Sequence, residues 1–281
     1  MSINWYPGHM KKTNELIRDN LKLVDVIIEI IDARIPLSSR NPIIDDVAAN
    51  KHHIIVMNKS DLADNRLSEL WMAEFKKKNI TCVLFNSTKD SIVKFMGALK
   101  EISDEIEEKY KKKGFYNKQI RAMIVGIPNA GKSTFINNIS KRKGTATGDK
   151  PGVTKAKQWI KVKNNIDMLD TPGILWPKIE TDEQGYKLAA TGAIREEILN
   201  KADIAAFILD FMRQNYPENL RKKYNLSDMS DIQQMMNDIG IKNGCLLKGN
   251  EIDMERVTRL IISDFRKGRL GKLTMERPAV C

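Results

Sequence analysis

The sequence predicts an α/β fold: a parallel sheet flanked by helices, followed by a small all-helical C-terminal unit. Three observations predict it. Near-continuous apolar runs alternate with helical periodicity through the first part of the chain. One of those runs, Ala122-Met123-Ile124-Val125, leads into the glycine-rich stretch Gly126-Ile127-Pro128-Asn129-Ala130-Gly131-Lys132-Ser133, and helical sequence leads out. Past Trp176-Pro177 strand patterning stops and only helical spacing continues. These observations divide the chain into residues 1–178 and 179–281.

Taken in order, Trp5-Tyr6-Pro7-Gly8-His9-Met10 precedes a helical stretch, Lys11 to Leu23. Asp25 to Asp32 is almost wholly apolar, broken only by Glu29, as expected of a strand covered on both faces. Ala33 to Pro42 reads as a loop. His53 to Met57 is a second buried strand, followed by a helix from Asp64 to Lys78 capped by Asp64 or Asn65. Thr81 to Phe85 is a third strand, Ser91 to Lys111 a long amphipathic helix, and Lys112 to Lys118, with Gly114, a linker. After the glycine-rich stretch a helix runs from Thr134 to Ile139, then a loop from Gly144 to Thr154. A strand pair follows at Lys157–Val162 and Ile166–Leu169. Helices are expected at Thr181–Asn200, Asp203–Gln214, Tyr216–Tyr224, Met229–Gly240 and Asp253–Lys267, with breaks at Pro217, Gly240 and Gly244.

Composition narrows the functional classes. A chain of 281 residues, 42% apolar and 30% charged, has the balance of one large or two ordinary folded domains. The run Val26–Ile31 is far too short to cross a bilayer, and Met1–Lys12 lacks the apolar core of a signal peptide. The expectation is therefore a cytoplasmic protein without a membrane partner. Cys82, Cys245 and Cys281 are scattered, and His9, His52 and His53 are the sole histidines; neither a disulfide framework nor a histidine-rich metal site is expected. The net charge of +11 lies entirely in residues 1–179, with 31 basic and 20 acidic residues against 16 of each thereafter. Basic clusters at 76–78, 109–113, 141–143 and 155–163, and a basic excess from Arg256 to Arg277, point to an anionic macromolecule, most commonly nucleic acid.

The glycine-rich stretch fits G-x-x-x-x-G-K-[ST], and the strand–loop–helix setting is the one a phosphate-binding loop requires. Backbone N–H groups of Asn129, Ala130, Gly131 and Thr134 would curl around phosphates at the helix N-terminus. Lys132 would reach the β and γ oxygens, and Ser133 would ligate magnesium. Alone, the loop specifies only a nucleoside triphosphate, and a P-loop ATPase stays open. Asn58-Lys59-Ser60-Asp61 matches N-K-x-D at a strand end. The Asp61 carboxylate can accept from N1–H and the exocyclic amine of guanine, donors that adenine lacks, each bond worth ~1.5–3 kcal/mol. Asn58 would bond the other base edge and Lys59 cover the ring. Asp170-Thr171-Pro172-Gly173 gives D-x-x-G at another strand end, with Asp170 on magnesium through water and the Gly173 N–H on the γ-phosphate. Thr154, in a loop, is a further magnesium candidate, and Asn86-Ser87-Thr88 would serve a base carbonyl through backbone N–H groups.

The four motifs resemble those of translation-factor-class GTPases in a changed order: N-K-S-D and N-S-T precede the phosphate loop, and D-T-P-G comes last. That is the order of a circularly permuted GTPase. With Pro7-Gly8-His9-Met10 and Asp32-Ala33-Arg34-Ile35-Pro36-Leu37-Ser38-Ser39-Arg40-Asn41-Pro42, the chain is similar to the ribosome biogenesis GTPase A family of YlqF type from about Trp5 through the helical unit. The resemblance implies a P-loop GTPase fold with a permuted sheet, GTP and GDP as ligands, and magnesium. It further implies a role in late assembly of the large ribosomal subunit with ribosomal RNA contact, the helical unit binding RNA or ribosome, and a monomer in isolation. A GTP-dependent module acting on another RNA or on a membrane is the alternative. Where many GTPases carry a water-orienting glutamine after D-x-x-G, this chain has Ile174, so slow unassisted turnover is expected. Two replacements stay open: His9 of the P-G-H motif, or potassium at Asn129, which resembles the asparagine of potassium-activated GTPases. The permutation also runs the γ-phosphate-sensing loop directly into the helical unit.

Overall fold

A computed structural model describes residues 20–47, 51–90, 92–140, 158–162, 166–170, 179, 181–195 and 198–279. Six strands form one sheet: β1 (Val26–Asp32), β2 (His52–Asn58), β3 (Thr81–Leu84), β4 (Ile120–Gly126), β5 (Gln158–Val162) and β6 (Ile166–Asp170). Their order across the sheet is β3-β2-β1-β4-β6-β5, with every pairing parallel except β5 with β6. The chain builds outward from β1 to β3 in one direction, returns to lay β4 on the other side of β1, then sets β5 at the far edge and fills the gap with β6. The boundary between β1 and β4 is thus a topological switch point, where ligands bind beyond the carboxyl ends of strands in open sheets. The Asp32, Asn58 and Gly126 strand ends all open on this edge.

β1 and β2 are buried along nearly their whole lengths, which explains their continuous apolar sequence. Glu29 interrupts the run yet is fully buried. It accepts hydrogen bonds from the Asn41 N–H at 2.9 Å and Arg40 Nε at 3.2 Å, and lies 3.1 Å from His53 Nε2. Burial opposes its charge, but the His53 hydrogen bond and Arg40 outweigh that and hold its carboxyl below the usual range. This network fixes the loop after β1 against β2. The loop ends in a short helix absent from the sequence reading, α1 (Pro42–Val47), with proline suited to a first turn.

Helix α2 (Asn65–Lys77) is capped by Asp64, whose carboxylate accepts from the Leu67 N–H at 3.0 Å. Helix α3 (Val93–Lys111) buries Phe95, Leu99, Ile102 and Ile106, one apolar stripe at helical spacing. Helix α4 (Lys132–Ser140) follows the phosphate loop and is anchored by Phe135, which packs edge-on against Phe85 and Phe95 at 5.2 and 4.9 Å.

The later elements are α5 (Asp182–Thr191), α6 (Lys201–Asn215), α7 (Pro217–Tyr224), α8 (Ile232–Lys242) and α9 (Met254–Arg266). The expected helix Thr181–Asn200 is a correction: α5 stops at Thr191 because Gly192 takes a left-handed φ of 79° and turns the chain out. Among the described residues beyond 178 the extended pairing is a single bridge, Leu246 with Ile252.

One buried cluster contains sheet residues such as Ile30 and Ile124 together with Leu188, Ile208 and Ile261 of the helices. The final segment also returns to the sheet. Leu273 and Met275 N–H groups donate to the carbonyls of Leu62 and Arg34, at 3.0 and 2.7 Å. Buried Glu276 accepts from the Leu37 and Ser38 N–H groups and the Ser38 hydroxyl, and its carbonyl accepts from Trp71 Nε1 at 3.0 Å.

Candidate nucleotide-binding site

The phosphate loop is shaped by two left-handed residues, Asn129 at φ 59° and Gly131 at φ 93°. Glycine is required at 131 for a second reason: a Cβ there would lie 2.1 Å from Asn58 Nδ2. At the loop's entrance, a Cβ on Gly126 would meet the Ile30 carbonyl at 2.5 Å, so close β1–β4 packing also demands glycine. Lys132, buried, starts α4, and Ser133 and Thr134 lie half-buried in its first turn.

The N-K-S-D segment meets the phosphate loop through Asn58. Its Nδ2 donates to the Ala130 carbonyl at 2.7 Å, while its Oδ1 accepts from the Ser87 N–H at 3.0 Å and the Ser87 hydroxyl at 2.8 Å. Asn58 is therefore a clasp joining the phosphate loop to the Asn86-Ser87-Thr88 loop. Asn138 of α4 adds a second tie, donating to the Ser87 and Asp90 carbonyls, each at 3.2 Å. Asn86 turns its side chain inward, accepting from the Thr88 N–H and hydroxyl, and its own N–H donates to Asp90. The Ser60 N–H donates to the Phe85 carbonyl at 3.2 Å, coupling N-K-S-D to the end of β3.

Lys59 stands at φ 58° with its ammonium 3.0 Å from Asp32, which also holds Arg34 through two side-chain bonds of 2.9 and 2.7 Å. Burial opposes the Asp32 charge, yet Arg34 and Lys59 hold its carboxyl far below the ordinary carboxylate range. Burial pushes the Lys59 ammonium below its ordinary value despite Asp32. Asp32 was not among the expected site residues; its signal was a carboxylate ending an apolar strand at the switch point.

Arg34, Asn58 and Lys59 line a cleft of about 690 Å³. Asp61, Asn86, Ser87 and Thr88 line it with Gly131 and Thr134, so base-reading and phosphate-binding candidates share one space. The helical part closes the cleft with Thr191, Gly192, Lys201, Arg259, Arg266 and Lys267, which the sequence reading missed. Asn129 Nδ2 donates to the Gly192 carbonyl at 2.6 Å, and Arg266 holds the Ala189 and Ala190 carbonyls at 2.7 and 3.0 Å. Arg34 completes the circuit, donating to the Phe265 carbonyl at 3.4 Å with its guanidinium 5.2 Å from the Phe265 ring. Asp170 ends β6 opposite Ile124 of β4, but its side chain, like His9, Thr154, Gly173 and Ile174, lies outside the described residues.

Ribosome biogenesis GTPase A of Bacillus cereus is 46% identical over 282 residues, covering 99% of this chain and 95% of the relative. The chain belongs to the ribosome biogenesis GTPase A family. A Thermotoga maritima member is 30% identical over 98% of this chain, and Mitochondrial ribosome-associated GTPase 1 of Bos taurus is 31% identical over 97% of it and 88% of the relative. A crystal structure of GNP-bound YlqF from T. maritima matches with a TM-score of 0.66 at 27% identity, covering 95% of this chain and 99% of that one. The family model described as a 50S ribosome-binding GTPase matches residues 121–243. That match begins at β4 and omits Asn58–Asp61, as a permuted chain dictates: a model read from the phosphate loop onward cannot align a motif that precedes it. Membership makes the chain a GTP-hydrolysing enzyme with a circularly permuted GTPase fold.

Proposed function

We propose that this GTPase acts as a switch in late assembly of the large ribosomal subunit, contacting the subunit precursor and its ribosomal RNA. The observation that carries the nucleotide reading is the Asn58 clasp, which draws the base-reading segment and the phosphate loop to one cleft. The relatives' names, the 50S ribosome-binding description of the family model and the basic excess of residues 1–179 support the ribosomal partner.

In this reading Asp61 accepts from guanine and the 86–88 loop offers its N–H groups to the base carbonyl. Lys132 and the N–H groups of residues 129–134 hold the phosphates. Magnesium suits the donor chemistry: the Ser133 hydroxyl at the start of α4 and the carboxyl of Asp170, the last residue of a strand paired with β4, are the hard oxygen ligands it takes. Thr154 would join them. Bound there, the ion would neutralise charge developing on the β and γ phosphates. Gly173 would read the γ-phosphate. Ile174 offers no group to orient the attacking water, which makes free turnover slow and leaves His9, or potassium at Asn129, to supply the missing function on the ribosome. The protein would work in the cytoplasm and as a monomer when free; no described helix is long and apolar enough to cross a membrane.

Sedimentation with large-subunit precursors tests the proposal. Co-migration with a non-hydrolysable GTP analogue and release with GDP are expected; equal migration in both states would overturn it. A hydrolysis rate insensitive to both His9→Ala and sodium-for-potassium exchange would remove the two candidate activators.

A further inference from the structure

The switch accounts for the carboxyl edge of the sheet, but the amino edge carries an unused feature. Between α3 and β4 the ten residues 109–118 contain five lysines, three aromatic residues and no acid. Residues 111 to 117 are all exposed, and Phe115 and Tyr116 keep 63% and 74% of their surface open to solvent. Two adjacent exposed rings stand out in a chain that buries Phe75, Phe85, Phe95, Phe135 and Phe265 and half-buries Phe207 and Phe211.

The turn and its Phe115 ring are held in place. The turn closes α3 with the Phe115 N–H donating to the Tyr110 carbonyl at 3.0 Å and the Gly114 N–H to the Lys111 carbonyl at 2.9 Å, with Gly114 at φ 82°. The Phe115 ring meets Tyr110 edge-on at 6.3 Å, and Lys118, paired with Asp25 at 3.2 Å, lies 5.1 Å from the Tyr110 ring. Around them, Lys109, Lys112 and Lys113 have no carboxylate partner among the described residues, and Lys111 reaches Glu107 only at 3.9 Å. Exposed rings on an anchored turn, flanked by unneutralised ammonium groups, are the two parts of a single-strand nucleic-acid platform: bases stack on the rings and lysines track the phosphates.

We propose that the 109–118 turn is an RNA-docking surface that takes unpaired bases on Phe115 and Tyr116. It rests on the reading of ribosomal RNA as the partner and adds where and how that RNA is held. The surface stands at the opposite end of β4 from the phosphate loop, seven strand residues or roughly 23 Å away, so RNA and nucleotide can be held at once.

The test uses the full chain and a fluorescent unstructured oligouridine, with an RNA duplex of equal length as comparison. The double variant Phe115→Ala/Tyr116→Ala is expected to weaken oligouridine binding by about tenfold or more, and to leave duplex binding and GTP hydrolysis by the free protein unchanged. Lys111→Gln/Lys112→Gln/Lys113→Gln is expected to lower the slope of log affinity against log salt by about 2. Unchanged oligouridine affinity in the aromatic variant would overturn the proposal. So would an aromatic variant that loses sedimentation with subunit precursors while keeping oligouridine, since the turn would then contact protein. Loss of precursor binding by the wild type alone would overturn the ribosomal reading and leave the RNA surface standing.

Discussion

Asp61 and Asn58 stand three positions apart in one motif and do different work. Asn58 is buried, its amide committed to Ala130 and Ser87, whereas Asp61 lines the open cleft. Asp61→Asn should therefore leave the fold intact and move preference from GTP toward xanthosine triphosphate, with GTP affinity falling by two orders of magnitude in a fluorescent-nucleotide competition. Asn58→Ala should instead cost about 1–3 kcal/mol in urea unfolding, because the Ala130 carbonyl and Ser87 groups lose buried partners. Asp32 makes a pH prediction. Its carboxyl is held below the ordinary value, so its stabilisation is complete above about pH 4 and is lost as pH falls toward the depressed folded-state value. Urea midpoints measured from pH 7 to pH 3 should fall more steeply for wild type than for Asp32→Asn, which should be less stable at pH 7 because Arg34 and Lys59 lose their partner. These roles were unequally legible. Asp61 announces itself through motif spacing, but the spacing says nothing of which amide hydrogen bonds Asn58 makes, since Ala130 and Ser87 reach it only through the folded sheet.

At the scale of elements, local signals sufficed wherever one residue type answered one backbone demand. Asp64 before α2 and the long apolar runs of β1 and β2 are such cases. α5 is shorter than its sequence predicts because helical periodicity continues past Gly192, where the left-handed turn serves the Asn129 contact. The return of the last segment to the sheet had no sequence signal, because its bonds run between backbone groups more than two hundred residues apart. Glu276 is its anchor. Glu276→Gln should weaken the charge-assisted bonds to the Leu37 and Ser38 N–H groups, each worth ~1.5–3 kcal/mol, and hydrogen exchange should show residues 270–279 opening first. Gly131→Ala should abolish nucleotide binding, since the added carbon would displace Asn58 and strain φ together.

Across the whole molecule, the cleft is a shared object. Its floor is the carboxyl edge of a parallel sheet and its roof is helical, and the two are joined by Asn129 to Gly192 on one side and Arg34 to Phe265 on the other. A nucleotide that rearranges the phosphate loop would act directly on contacts that hold the helices, the route we propose from the γ-phosphate to the docking surface. The basic excess of the first 179 residues points to a large anionic partner, and the permuted motif order leads the expected sensing segment toward the helices; neither reveals that Lys201, Arg259 and Lys267 line the cleft. The direct measurement is hydrogen exchange of the full chain loaded with GDP or with a non-hydrolysable GTP analogue. The account predicts that protection differs between the two states at the Ala189–Gly192 turn and along α9; identical protection there would contradict it.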